Sequence, residues 1–352
     1  MLLLAVQPAT TAAQEPGQGP AQLRTCRQVL PSDARRLVNA RGQELVYFMD
    51  PVRVLCTGGV RLEADSAVMN RATSSVQLVG NVVYQDSLRE LSAEWANYLG
   101  RRDQLLARDA VVLRNLEDGS RVEGEELDYL RATETRPVSR MFVRGDRPHA
   151  MIPPAADSGP APDTAAPTEI WAERMEFEGD SLFRGLGDVE LRRGEMTGAA
   201  ATAMFDQAAE RMTLLSQAWI ETPDYHLEGD IIEAHLSGRQ LRTVTSDGAA
   251  RLESEDLAVD SDRIRIGFVD GRLDRLEAWN PRRDSVPRVL ADARDFRLRA
   301  DSIDARADSL GLQEVRAVSR AYGERAGERG PARADAAAGT DSAGAAAGVD
   351  SA

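Results

Sequence analysis

The chain has 352 residues, of which 42% are hydrophobic and only 5% aromatic, and its formal net charge is −14. This length fits one long repeat domain or two ordinary ones, and the composition favours a thin, extended core. All 43 basic residues are Arg, and they form no basic stripe interleaved with aromatic residues. The sequence therefore argues against nucleic acid as a partner, because phosphate binding depends on clustered Lys and Arg.

The first residues look like the end of a secretory signal. A short apolar run, Leu2–Val6, is followed by the small residues Thr11–Ala13 and then Gln14. We expect residues 1–13 to be the remnant of a signal peptide, and a disordered cytoplasmic N-terminus is the alternative. No stretch of about 18 apolar residues occurs, so the sequence predicts no membrane-spanning helix.

Two cysteines, Cys26 and Cys56, lie thirty residues apart. This spacing is close to the length of the repeat found in the rest of the chain. Equivalent positions in neighbouring repeats can lie within the distance of about 7 Å between Cα atoms that a disulfide requires. We expect a disulfide in an oxidising compartment, worth roughly 3–4 kcal/mol. Two unrelated thiols are the alternative.

A short phrase recurs along the chain, in which a small residue and an acid precede a variable position and two apolar residues spaced two apart. The acids of its copies are Asp65, Glu94, Glu125, Glu173, Asp230, Asp262 and Asp301. The regular steps between them are 29 to 32 residues, and the longer ones contain an insertion or the degenerate copy Gly198–Phe205. A period near 30 residues is typical of a stacked repeat architecture.

Between these phrases apolar and polar residues alternate, as in Val60–Ala64 and Ser75–Tyr84. A period of two residues predicts strands with one buried face. The small-acid pair shifts the phase of this alternation, which indicates a bulge or sharp bend. Each period is therefore predicted to hold two bent strands. The Ala-rich segment Gly198–Arg211 is also predicted as strand, although its composition alone would suit a helix.

Two segments fall outside the pattern. Residues 148–168 are rich in Pro and Ala and are predicted to be a flexible insertion. Residues 323–352 carry almost no apolar bulk and are predicted to be a disordered tail. The repeats are thereby divided into a first block, 46–147, and a second block, 169–322. Residues 14–45 are predicted to hold an N-terminal segment and a first cap strand.

The order and number of these motifs resemble the OstA-like superfamily, which includes LptA, LptC and the N-terminal part of LptD. The likeness extends over Val46–Val318 and is most evident in Val60–Tyr129. It implies an all-β, repeat-built open β-jellyroll of consecutive bent antiparallel strands. The chain is longer than a typical LptA and has the Pro-rich insertion, so an LptA-, LptC- or LptD-like role stays open.

The resemblance also implies a function: a periplasmic bridge component that passes lipopolysaccharide to the outer membrane. The expected partners are this lipid, other Lpt-type jellyrolls and an outer-membrane barrel. An open β-stack leaves unpaired strands at its ends, and strand addition between like-folded proteins would cover them.

The acyl chains of the lipid are expected to lie in an apolar trough between the sheets. Apolar residues in phase with the repeat are the predicted lining: Val60, Leu62, Val76, Leu78, Val82, Trp95, Leu127, Met141, Val143, Met175, Phe177, Leu186, Val189, Ile231, Ile264 and Ile266. The alternative is that these residues only pack the two sheets against each other.

Two rival functions remain, a structural scaffold with a closed core and a carbohydrate-active β-helix enzyme. Such an enzyme needs a local cluster of Asp or Glu, whereas the acids here are spread one per repeat. His149, His226 and His235 have no metal-ligand spacing. We therefore expect no enzyme, no metal and no cofactor.

Overall fold

A computed structural model of the chain describes residues 26–29, 33–153, 166–179, 181–237, 240–255, 257–269, 272–280, 289–293, 296–308 and 311–325. Within these ranges the chain forms strands and connecting turns, and no helix there is long and apolar enough to cross a membrane. The predicted signal-peptide remnant and the tail beyond Arg325 lie outside the described residues.

The described residues form 26 strand segments. Their bounds in chain order are β1 (Cys26–Gln28), β2 (Ala34–Val38), β3 (Glu44–Phe48), β4 (Val52–Cys56), β5 (Val60–Ala64), β6 (Ser66–Asn70), β7 (Ser75–Gln85), β8 (Arg89–Leu99), β9 (Gln104–Asn115), β10 (Arg121–Leu130), β11 (Arg140–Arg144), β12 (His149–Ile152), β13 (Thr168–Trp171), β14 (Arg174–Glu178), β15 (Leu182–Arg193), β16 (Met196–Asp206), β17 (Arg211–Glu221), β18 (Tyr225–Ser237), β19 (Gln240–Ser254), β20 (Leu257–Val269), β21 (Arg272–Trp279), β22 (Val289–Ala293), β23 (Phe296–Ala300), β24 (Ser302–Asp308), β25 (Gly311–Val318) and β26 (Tyr322–Arg325).

The long strands β7 to β10 and β15 to β20 each pair antiparallel with the next strand along the chain. Their registers shift near the middle, as between Val79 and Val82 in β7. The shorter segments are the two halves of similarly bent strands, since β3 pairs with β6 while β4 pairs with β5. The chain is therefore a series of consecutive bent antiparallel strands, as predicted.

The bends divide the strands into two facing layers. Layer 1 contains β1, β4, β5, β12, β13, β22, β23 and β26, and layer 2 contains β2, β3, β6, β11, β14, β21, β24 and β25; each long strand contributes one half to each layer. The bends lie along one edge of this sandwich, which we call the spine. The turns between strands lie along the opposite edge, which we call the open edge.

The alternation of side chains places the core between the layers. In β8 the buried positions move from Leu91 and Ala93 in layer 1 to Ala96 and Tyr98 in layer 2. This change of phase at the small-acid pair is the bulge that the sequence indicates. The Ala-rich segment predicted as strand is strand over Met196–Asp206.

The N-terminal strand is tied to its neighbour by a disulfide. Cys26 of β1 faces Cys56 of β4 in the antiparallel register, and an S–S bond of 2.03 Å joins them. The predicted disulfide is thus present in the structure.

The structure moves one predicted boundary. Strand β12 lies inside the segment predicted to be an insertion and pairs with β10 and β13. Its Ala150 is buried on the inner face of layer 1, between Val122 of β10 and Ile170 of β13. At the other end of the predicted insertion Thr168 belongs to β13, and residues 154–165 lie outside the described residues.

Candidate functional site

The two layers leave a cavity of about 350 Å³ at the open edge, in the middle of the stack. Its layer 1 wall includes Val122, Ala150, Ile152 and Ile170, and its layer 2 wall includes Met141, Phe177, Phe183, Phe205, Met212 and Leu236. Ligand pockets in proteins typically have volumes of roughly 300–1,000 Å³ and apolar walls. The cavity therefore has the size and the lining of a small apolar binding site.

A row of large apolar residues crosses four adjacent strands of layer 2 in this wall. Phe177 faces Phe183, Phe183 faces Phe205, and Phe205 faces Met212 in the strand registers. The rings of Phe177 and Phe183 have centroids 5.0 Å apart. Phe177, Phe205 and Met212 are only partly buried, so the row presents apolar surface to the cavity.

The mouth of the cavity is polar. In the turn between β9 and β10, Asp118 Oδ1 accepts hydrogen bonds from the amide and the hydroxyl of Ser120 at 2.9 and 2.7 Å. Arg121, also at the mouth, makes an ion pair of 2.5 Å with Glu123. On layer 2 the mouth carries Gln207 and Glu210. An apolar interior with a polar mouth suits an amphiphile, whose chain is dehydrated while its headgroup stays in water.

On its N-terminal side the cavity ends at a buried polar cluster, Tyr84, Asp86, Arg89, Tyr129 and Arg131, which we call the polar clasp. Tyr84 donates to Asp86 at 2.8 Å, and Arg89 Nη1 donates to the Tyr129 hydroxyl at 2.7 Å. Arg131 Nε lies 3.4 Å from Asp86 Oδ2. The first three residues belong to layer 1 and the last two to layer 2, so the clasp joins the layers across the open edge.

The clasp is shielded from water, and this burial raises the pKa values of its two tyrosines. Asp86 and Arg89 are each only 6% exposed. Burial raises the pKa of the Tyr84 hydroxyl, and the neighbouring Asp86 carboxylate raises it further. Burial also raises the pKa of Tyr129, against the opposing effect of Arg89. Both hydroxyls therefore remain protonated near neutral pH and serve as hydrogen-bond donors.

On the C-terminal side the open edge is closed by an apolar contact between the layers. The rings of Tyr225 in layer 1 and Phe268 in layer 2 have centroids 6.4 Å apart. Burial raises the pKa of Tyr225 to about 12, with a smaller effect from Asp224. The last lining residue along the chain, Leu236, belongs to the same strand as Tyr225, so the cavity lies between the clasp and this contact of the layers.

Most of the predicted lining residues lie on the inner face. Those buried between the layers are Val60, Leu62, Val76, Leu78, Val82, Leu127, Met141, Val143, Met175, Val189, Ile264 and Ile266. Met141 lines the cavity, as does Phe177, which is half-buried. The other buried residues pack the layers together, which is the alternative that the sequence left open.

Three predicted lining residues, Trp95, Leu186 and Ile231, do not lie on the inner face. Trp95 stacks with the Arg108 guanidinium at 4.4 Å from the ring centroid, and Ile231 is 38% exposed. Leu186 is half-buried next to the buried Gly185. All three adjoin a bend, where the shift of phase turns the side chain outward.

The sequence reasoning missed Phe183, Phe205, Met196 and Met212, which line the cavity. Phe183 and Phe205 occupy inner-face positions two residues from buried neighbours, Gly185 and Ala203. The alternation in β15 and β16 was the signal that could have found them.

A second hollow, of about 380 Å³, lies on the outer face of layer 2 and is lined by residues that include Arg265, Glu277 and Asp304. Arg275 Nη2 binds Asp304 there at 2.5 Å. This surface is charged and solvated, unlike the cavity between the layers. Among the described residues no group of three or more His, Cys, Asp or Glu side chains is arranged to hold a metal ion.

Thirteen chains among the solved structures match the protein. No model of a protein family matches the chain, and no curated protein matches it. A crystal structure of LptH from Pseudomonas aeruginosa, described as the LptA-homologous periplasmic component of the lipopolysaccharide transport device, is 13% identical to it. The match covers 54% of this chain and 82% of LptH, with a TM-score of 0.17, which is too low for the likeness to bear on function.

Proposed function

We propose that this protein binds an amphipathic lipid, lipopolysaccharide, through acyl-chain contacts in the cavity at the open edge. It would carry that lipid through the periplasm to the outer membrane as an LptA-like bridge component, without a catalytic step. The observation that carries the proposal is the apolar cavity with a polar mouth, since the rest of the inner face is packed.

The energetics of this cavity suit a carrier. Removing apolar surface from water is favourable by roughly 0.8 kcal/mol for each methylene and needs no directional contact. The apolar side chains facing the cavity, such as Phe177 and Met212, offer that kind of surface. Because no specific bond holds the lipid, it can move to another apolar site that shields it equally well from water. Transport requires such a transfer.

The ends of the stack support the proposed partners. In the described part of the chain, β2 pairs with β3 alone, and β2 is exposed along its length, with Leu37 57% and Val38 72% exposed. At the other end β26 is exposed as well, with Tyr322 60% exposed. Exposed edge strands are templates for pairing with a like-folded protein. We propose end-to-end strand addition to other Lpt-type jellyrolls, and through them contact with an outer-membrane barrel.

A scaffold function has one observation in its favour. From β5 to β8 the inner face is closely packed, and Leu62, Leu78 and Leu91 are 0% exposed. A wholly structural protein would have this packing along the whole stack. The cavity, which is lined by residues from β8 to β18, departs from this packing, and for that reason we favour lipid binding.

The proposal is tested by photo-crosslinking in cells, with benzoylphenylalanine at Phe177 or Met212 inside the cavity. The matched controls are Leu186 and Ile231, which lie on neighbouring strands and turn away from the inner face. We expect lipopolysaccharide adducts at the two inner positions alone.

Equal labelling at the inner and outer positions would indicate surface contact rather than a binding site. Absence of any adduct from folded, exported protein would overturn the proposed function and leave the scaffold.

A further inference from the structure

We infer that the cavity accepts a single acyl chain of about a dozen carbons, and that Arg89 of the polar clasp sets the limit on chain length. The inference rests on the proposed function, because it specifies what part of a lipid enters the site. The three observations behind it are the volume of the cavity, its two closed ends and the way Arg89 is held.

The volume limits the number of methylene groups. A methylene occupies about the volume of a water molecule in the liquid, ~30 Å³. A cavity of about 350 Å³ therefore has room for roughly a dozen of them. A lipid with several chains would place one chain in this cavity and leave the others outside it.

The two ends prevent a longer chain from extending along the stack. Toward the C-terminus, Tyr225 and Phe268 meet across the layers. Toward the N-terminus, Arg89 lies in the cavity wall, and behind it Tyr84 is 1% exposed. Protein interiors are packed without voids for additional methylenes, so neither end yields without moving the layers.

Arg89 is a fixed part of this wall. Its Nη1 donates to the Tyr129 hydroxyl at 2.7 Å and to Ser139 Oγ at 3.3 Å, and its guanidinium lies 4.9 Å from the centre of the Tyr129 ring. An acyl chain that displaced it would leave buried polar groups without partners, at a cost that one more buried methylene does not offset. Arg89 is therefore the residue that determines chain length.

The test is a calorimetric titration of the purified protein with saturated fatty acids of 8 to 18 carbons, which measures the affinity for each chain length. We expect the affinity of the wild type to rise about fourfold with each added methylene, up to about twelve carbons. Beyond that length the affinity should level off, because the further methylenes remain in water.

Two variants move the limit in opposite directions. Arg89→Ala removes the wall next to Tyr129 and should move the levelling point to longer chains by two or more carbons. Met212→Trp fills the cavity from layer 2 and should move it to shorter chains. The matched control is Arg108→Ala, which removes an arginine that stacks on an aromatic ring at the outer face and should leave the limit unchanged.

The outcomes separate this inference from the proposed function. A wild-type affinity that keeps rising to 18 carbons would overturn the one-chain limit and leave lipid binding intact. An unchanged chain-length limit in folded Arg89→Ala would show that Arg89 does not set the limit. If Arg89→Ala does not fold, Met212→Trp still tests whether the chain occupies the cavity. Failure of the wild type to bind any of these chains would overturn both proposals.

Discussion

The backbone amide of Asp65 donates to the carbonyl oxygen of Gly80, 2.9 Å away across the spine. The Asp65 carboxylate in turn accepts a hydrogen bond of 2.8 Å from the Asn81 side chain. Equivalent backbone bonds join Glu173 to Gly187 at 3.0 Å and Asp301 to Ser319 at 3.0 Å. The recurring acid of the repeat is thus a structural residue, placed beside the bend of the next strand.

This geometry explains why glycine stands at the bend and predicts the effect of replacing it. Gly80 has φ of +78°, and a Cβ built on it would lie 2.5 Å from Asp65 Oδ2. We expect Gly80→Ala to lower the free energy of unfolding by about 3 kcal/mol, from the left-handed backbone and the steric conflict together. Denaturant titration monitored by circular dichroism measures this loss.

The matched control is Gly59→Ala. Gly59 has a nearly equal φ of +77° with no atom near its added Cβ. Its replacement isolates the backbone cost, which we expect to be about 1–2 kcal/mol. Equal losses in the two variants would mean that the acid does not constrain the bend.

The polar clasp predicts a large effect from a small change at Asp86. The Asp86 side chain is 2% exposed and contacts Arg131, and its Oδ1 accepts hydrogen bonds from the amides of Leu88 and Arg89 at 2.9 Å. Asp86→Asn keeps the shape of the side chain and leaves Arg131, whose side chain is 17% exposed, without its counter-charge. We expect a loss of about 3 kcal/mol in the free energy of unfolding.

An ion pair on the outer face provides the comparison for that variant. Asp304 pairs with Arg275 at 2.5 Å, with 29% of the Asp304 side chain exposed. Asp304→Asn should cost no more than about 1 kcal/mol, because water screens the pair. Losses of similar size at Asp86 and Asp304 would contradict a dehydrated clasp.

The raised tyrosine pKa values predict a loss of stability at alkaline pH. An unfolded tyrosine has a pKa of about 10, and burial raises the folded pKa of Tyr225 to about 12. Between these values the folded state holds a proton that the unfolded state releases. The contribution of Tyr225 to the free energy of unfolding is therefore fully present below pH 10. It falls above pH 10, by up to about 1.4 kcal/mol per pH unit.

Tyr225→Phe should remove that part of the dependence. The measurement is the free energy of unfolding between pH 9 and 12 for the wild type and the variant. An identical slope in the two proteins would show that Tyr225 is not the group responsible. Tyr84 and Tyr129, whose pKa values are also raised, should account for much of the slope that remains.

The disulfide predicts a local effect of reduction. Cys26 and Cys56 enclose a loop of thirty residues, for which chain entropy gives a stabilisation of roughly 3.5 kcal/mol. Because β1 pairs with β4 alone in the described chain, we expect reduction to release β1 and leave the later strands paired.

Hydrogen exchange of single amides checks this. The Val29 amide, bonded to the Arg53 carbonyl at 2.9 Å, should exchange faster after reduction, while the Leu78 amide in β7 should not change. A uniform increase at both sites would mean that the bond stabilises the whole stack.

Much of the fold could be predicted from the sequence because it depends on local patterns. The alternation in β7 predicts that Val76 and Leu78 face inward. The small-acid pairs mark the bends at which the phase of this alternation shifts. The errors at Trp95 and Ile231 arose at those same bends, where one residue decides which face a side chain takes.

The cavity and the clasp could not be predicted in this way. Tyr84 and Tyr129 are 45 residues apart in sequence, and their rings meet at 6.1 Å only because the layers close there. Where the layers instead leave space depends on the summed volumes of facing side chains. Strand β16 has the small residues Gly198, Ala200 and Ala203 on its inner face, and they fill little of the space between the layers.

The pairing of each bent strand with its neighbours in the chain makes the protein a quasi-one-dimensional object. In such an array stability is approximately a sum of terms for each strand and for its contacts with its neighbours, so we expect the outermost strands, which have fewer neighbours, to open first. The strands that enclose the cavity, from β8 to β18, lie in the interior of this array. Opening of the outermost strands, the same ones that are proposed to pair with partners, would therefore leave the cavity intact.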